Sequence, residues 1–298
     1  MDTDRARFDH LGPAAAATAR LTHDPRRLVY GLVAVAVLLS WGVLIFMAGA
    51  AAQRGLPGEL GPGAGILRAL PELPLPGLLE RFVALCLSPA PPGEISIPLF
   101  VALSGMWMLM ALAMMLPAAA PMLRTYCEIA DTARAGGKPV VHPLILVAGH
   151  LLIWAVASLG FAAASLAVQA VAANASAAAP LTGMAAAAAL AVAGLYQFSR
   201  LKEACLEKCR NPFTILFANW STRAWPVFRL GLRQGLWCLG CCWALMLVMF
   251  AVGLMNVFWM ALMALVALGE RQLPGRAVGK AAGAILLVWA GGLLLVSL

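Results

Sequence analysis

Long apolar stretches alternate with short polar segments along almost the whole chain. They run from Val29 to Ala51, Ile95 to Ala120, Pro143 to Ala172, Leu181 to Phe198, Leu236 to Ala251, Leu254 to Gly269 and Ala281 to Leu298. At about 1.5 Å per helical residue, such stretches suit the roughly 30 Å of hydrocarbon in a bilayer. The pattern predicts an all-α polytopic transmembrane bundle of about seven spans, with residues 29–298 as one domain. The fifth and sixth spans come from one uncharged run between Gly235 and Glu270, which we divide by a tight hairpin near Gly253 to Asn256. Each arm of sixteen residues would be only about 24 Å long, so burial inside a bundle or local thinning is needed to accommodate it.

Composition agrees with this reading. Hydrophobic residues make up 62% of the chain and charged residues 11%, against about a quarter charged in soluble domains. A net charge of +8 would suit nucleic acid, but 18 of the 21 Lys and Arg fall in residues 1–28, 121–142, 199–235 and 269–280. Basic residues collect on the cytoplasmic side of membrane proteins, so these four segments should share that side. The expected partner is therefore the lipid bilayer and not nucleic acid. The N-terminus is placed in the cytoplasm and the C-terminus outside. Both arms of the hairpin must cross, or Arg271, Arg276 and Lys280 would be stranded on the wrong face.

Between the spans, residues 1–28 read as a disordered cytoplasmic tail. Residues 52–94 read as a Gly- and Pro-rich outer loop with one amphipathic piece near Leu78 to Leu87. Residues 199–235 read as a cytoplasmic or interfacial loop. It opens with RLKEACLEKC as a helix continuing out of the fourth span, stopped at Asn211-Pro212, and its later Trp and Arg residues suit the headgroup layer. The first apolar stretch is longer than a signal-peptide core and is expected to stay uncleaved.

This topology turns scattered cysteines into a candidate site. Cys127, Cys205, Cys209, Cys238, Cys241 and Cys242 all fall at the cytoplasmic rim, with Cys86 alone outside. Cys238, Cys241 and Cys242 stand at i, i+3 and i+4, which puts three sulfurs on one helical face. In a reducing compartment clustered thiols point to metal or redox chemistry, although a free Cys is also a small hydrophobe that packs well. The second span adds stripes of methionine, Met106, Met110 and Met114 beside Met108, Met115 and Met122. Thioethers and thiolates together suit copper(I), and gap-filling is the competing explanation. Pro117 should free the carbonyl of Ala113 and leave the backbone irregular beside Met114. His150 is the one histidine inside a span, so it is expected to ligate or to hydrogen-bond a neighbouring helix. No Asp, Glu, Lys or Arg falls within any of the stretches named, which argues against a proton-coupled transporter. No phosphate loop, dinucleotide fingerprint or nucleophile elbow is present.

The segments MWMLMALAMMLPAAAPMLRTY, LYQFSRLKEACLEKCRNP and FRLGLRQGLWCLGCCWALMLVMFAVGLMNVFWM resemble those of a bacterial family of predicted metal-binding integral membrane proteins of unknown function, over roughly residues 98–270. The resemblance implies several spans in the bacterial inner membrane and a metal site at Cys205, Cys209, Cys238, Cys241 and Cys242. Met110, Met114 and His150 join that set from the reading above. The expected cargo is copper(I) or zinc, held for handling or delivery to a membrane or soluble partner and not for catalysis. Two alternatives stay open: a thiol-disulfide oxidoreductase using the Cys238-Leu-Gly-Cys241 pair, and a non-catalytic membrane scaffold.

Overall fold

The computed structural model describes residues 25–53, 64–68, 77–87, 96–173, 179–254 and 256–297. Nearly all of the expected cytoplasmic tail and most of the expected outer loop lie outside the described residues. Helix α1 is Pro25–Gln53, α2 Ala64–Arg68, α3 Gly77–Leu87 and α4 Ile97–Met115, followed by a 3-10 turn at Pro117–Ala119. Helix α5 is Ala120–Ala135, α6 Pro143–Ala173, α7 Ala179–Tyr196, α8 Arg200–Arg210 and α9 Pro212–Ala218. The chain closes with α10 at Ala224–Val252, α11 at Val257–Gln272 and α12 at Ala277–Ser297.

The fold is all-α among the described residues. Helices α1, α4, α6, α10 and α12 are each long and apolar enough to cross a membrane, and α7 with α8 would make a sixth span bent by 62°. That is the signature of a multi-pass membrane protein. Helix α11, with 16 residues, is shorter and packs within the bundle against α4, α8, α10 and α12.

Local chemistry sets the breaks. Gly253 takes φ +99° at the end of α10, a conformation open to glycine, and Asn256 caps α11 by accepting from Trp259 N at 3.3 Å. The chain therefore doubles back where the sequence indicates. Ser199 caps α8 in the same way, accepting from Lys202 N at 3.1 Å. Pro117 ends α4, and the carbonyl of Ala113 accepts a hydrogen bond from Trp41 Nε1 at 3.0 Å instead. The freed acceptor is thus satisfied by α1, as buried backbone requires.

Glycine decides how α6 meets α10. A methyl group at Gly231 would collide with the Leu146 carbonyl, and one at Gly149 with the Phe228 carbonyl. At Gly235 it would come within 3.0 Å of the His150 carbonyl. Gly231 and Gly235, four apart, let two backbones touch, the small-xxx-small packing of membrane helices. Trp107 pins α4 onto this pair, stacking on Phe161 at 4.7 Å and Phe250 at 5.2 Å and donating to Ser165 Oγ at 2.9 Å.

The basic segments meet at one end of the bundle. Arg26 pairs with Asp131 at 3.6 Å, Tyr126 packs on Trp220 at 5.3 Å, and Arg210 donates to the Gly275 carbonyl at 2.7 Å.

Three expectations need correction. The fifth span does not start near Leu236: α10 starts at Ala224 and holds Arg229 and Arg233 on an exposed face, because Val227, Leu230 and Gly231 already form a buried stripe beneath them. The helix after the fourth span does not continue straight but bends at Gln197–Ser199. The interior is also not free of charge, since Lys202, Glu270 and Arg271 are 3%, 1% and 8% exposed. Apolar runs mark spans by composition alone, whereas a helix stays buried for as long as neighbours cover it.

Candidate metal centre

Helix α10 carries Cys238, Cys241 and Cys242 on a buried face, as the i, i+3, i+4 spacing requires. The sulfurs of Cys241 and Cys242 stand 3.3 Å apart, and the Cys241 thiol donates to the Cys238 carbonyl at 3.1 Å. Because α11 folds back, Arg271 enters this group from the opposite arm of the hairpin. Its Nη2 lies 2.8 Å from Cys238 Sγ, 3.4 Å from Cys241 Sγ and 3.5 Å from Cys242 Sγ. One guanidinium nitrogen thus touches three sulfurs.

Two further thiols arrive from α8. Cys209 neighbours Cys241, and the sulfur of Cys205 rests on Gly240, where a methyl group would come within 2.7 Å of it. The bend before α8 makes this possible by turning its cysteines onto α10. The Tyr196 hydroxyl, at the end of α7, donates to the Gly240 carbonyl and fixes the approach.

His150 completes the surroundings. It is 2% exposed and close enough to Cys238 to interact electrostatically, yet neither ring nitrogen meets a hydrogen-bond partner. A cavity of about 10 Å³ on its α1 and α5 side is lined otherwise by apolar groups such as Leu116, Met122 and Val147. Such a lining gives a water too few partners to satisfy the ring.

A buried ion pair borders the thiols. Lys202 Nζ lies 2.7 Å and 2.8 Å from the two carboxylate oxygens of Glu270 and also bonds Gln197 Oε1. Arg210 Nε donates to the Glu270 carbonyl at 2.7 Å. These contacts tie α8 to α11, so the thiols of α8 and the arginine of α11 are held by one joint.

The expected residues are therefore brought together in part. Cys205, Cys209, Cys238, Cys241 and Cys242 converge, with His150 beside them. Cys127 does not join them: it packs with Val29, Leu123 and Val147 in a separate cluster. Its helix exit lies at the same end of the bundle but on the α1 side, because topology places a residue by depth and not by azimuth. Met110 and Met114 are buried in the same apolar cluster as the thiols but stand on α4. The same cluster takes in Met246 and Met249 of α10 and Met260 and Met263 of α11. His142 accepts at Nδ1 from Leu144 N at 3.3 Å, which makes it a helix-start residue.

Sequence reasoning missed Arg271, Glu270, Lys202 and Gln197. One signal was readable: Met260, Met263, Ala267 and Arg271 continue a buried stripe at helical spacing, so Arg271 belongs to the inward face of α11.

Chemically, the donors are soft thiols plus an imidazole with two unsatisfied nitrogens, a set that fits a soft cation. Among the described residues no group of three or more His, Cys, Asp or Glu stands in a ready metal-binding arrangement. Arg271 Nη2 stands among the sulfurs of Cys238, Cys241 and Cys242.

Comparison with known proteins adds the family. A family model described as PpoB2, copper chaperone, matches residues 104–293, a range that holds all five converging cysteines, His150 and Arg271. No curated protein and no solved structure matches the chain. The chain belongs to the PpoB2 copper chaperone family.

Proposed function

From membership of a copper chaperone family, we propose that this protein is a membrane-embedded copper carrier that takes copper(I) onto the thiols of α10 and releases it to a protein acceptor. The observation that carries the reading is the convergence of Cys238, Cys241 and Cys242 around one point, with Cys209, Cys205 and His150 around them. Thiolate sulfur is the donor that copper(I) prefers, and zinc would require four ligands in a closed tetrahedron. Met110 and Met114 supply neutral thioethers within the same core, suited to passing the ion and not to holding it.

The site lies at the end of the bundle where the basic segments gather. By the positive-inside rule that end faces the cytoplasm, so the carrier would load from the cytoplasmic side of the inner membrane. The match to a copper chaperone family favours the metal reading over the oxidoreductase one, for which no specific observation speaks.

The test is metal analysis of detergent-purified protein loaded with copper(I) under reducing conditions. The wild-type chain should hold copper near one equivalent, and the variant with Cys238→Ser, Cys241→Ser and Cys242→Ser should hold less than a tenth of that. Equal copper in the two proteins would remove the thiols from the function, and zinc retained in preference to copper would replace the cargo.

A further inference from the structure

Arg271 is the least expected member of the centre. A guanidinium keeps its charge in proteins, and a buried charge is costly unless something compensates it. The usual compensation is a carboxylate, and the adjacent residue is Glu270. Both oxygens of Glu270, however, are engaged by Lys202 Nζ at 2.7 Å and 2.8 Å. Among the described residues Arg271 makes no ion pair with an acid; its Nη2 instead meets three sulfurs, and its Nε has no partner. The Lys202–Glu270 pair is neutral as a unit, and His150 approaches Cys238 from α6. The thiol centre therefore has one uncommitted, permanent positive charge beside it.

We propose that Arg271 is the counter-ion of the copper(I)-loaded centre, an inference that rests on the thiol site proposed above. Two thiols bind one copper(I) and release two protons to solvent, leaving a copper dithiolate of net charge −1 and no change in oxidation state. The guanidinium brings that unit to zero, the condition a low-dielectric interior demands. Arg271 thus supplies compensating charge to the centre without being a ligand. The dithiolate also leaves one of the three α10 cysteines outside the metal's coordination.

The experiment uses the full chain in detergent as wild type, Arg271→Lys and Arg271→Gln. Copper(I) affinity is read by competition with a coloured chelator, and folding is checked by gel filtration and helical circular dichroism. Arg271→Gln should lose at least tenfold in copper(I) affinity, while Arg271→Lys, which keeps the charge, should stay within about threefold of wild type. Wild-type copper(I) affinity in a folded Arg271→Gln protein would overturn the counter-ion role and leave the thiol site standing. A wild-type chain that binds no copper(I) would overturn both. Should Arg271→Gln fail to fold, copper-edge X-ray absorption on the wild-type protein decides: two sulfur neighbours support the charge balance, and three or more overturn it.

Discussion

The seven cysteines differ in environment more than in kind. Cys86 stands in α3 away from the centre, where its thiol donates to the Ala102 carbonyl at 3.5 Å and burial pushes its pKa up to about 12. Because the thiolate is the nucleophile, a raised pKa keeps Cys86 neutral and slow. At pH 8 only about one Cys86 in ten thousand is ionised, and its reactivity should rise about tenfold per pH unit and level off only near pH 12. Mass-spectrometric mapping after iodoacetamide treatment at pH 8 should find Cys86 unmodified, and labelling at the rate of a free thiol would refute its burial. The half-buried Cys205 and Cys209, by contrast, should be labelled before Cys238, Cys241 or Cys242. The triplet was legible in the sequence because i, i+3, i+4 is a property of any helix. The arginine among the sulfurs was not, because it lies 33 residues from Cys238.

Between elements, glycine does the spacing. The α6–α10 crossing places His150 against Cys238 only because Gly149, Gly231 and Gly235 let the two backbones touch. Gly231→Ala should drive that crossing apart and cost about 1–3 kcal/mol, the usual range for overpacking a tight interface. A lowered melting temperature in detergent together with a weakened copper(I) affinity is expected. A variant as stable as wild type would mean that the crossing yields freely. The α10–α11 hairpin acts at the same scale. Its turn is written in Gly253 and Asn256, and its register follows from equal rise along both arms. Cys238 lies 14 residues before Val252 and Arg271 lies 14 after Val257, so the two arrive at one level. The same count puts Met246 level with Met263, and Met249 level with Met260.

At the scale of the whole molecule, the Lys202–Glu270 pair locks the bent α7–α8 segment to the hairpin. Breaking such a pair from one side strands a buried charge and costs about 3–5 kcal/mol, whereas apolar replacement of both partners is often neutral. Lys202→Met alone should therefore destabilise the protein strongly, and Lys202→Met with Glu270→Leu should recover much of the loss in a thermal melt. If the double variant is no better than the single one, the pair is not the lock. A reporter joined at Gly137 and one joined at Gly275 should fall on the same face of the membrane, since contacts among the basic segments bring both loops to one end. What the sequence alone determined is the all-α class, the hairpin between α10 and α11, the break at Pro117 and the triplet of thiols. Each depends on the residues of one segment and on the free energy of burying backbone or apolar surface. What only the tertiary structure decided is which residues of different segments meet. Cys209 joins the thiols and Cys127 does not; Arg271 turns inward and Glu270 is claimed by Lys202. These outcomes depend on azimuth and bend angle, which are set by packing between helices that are far apart in the chain.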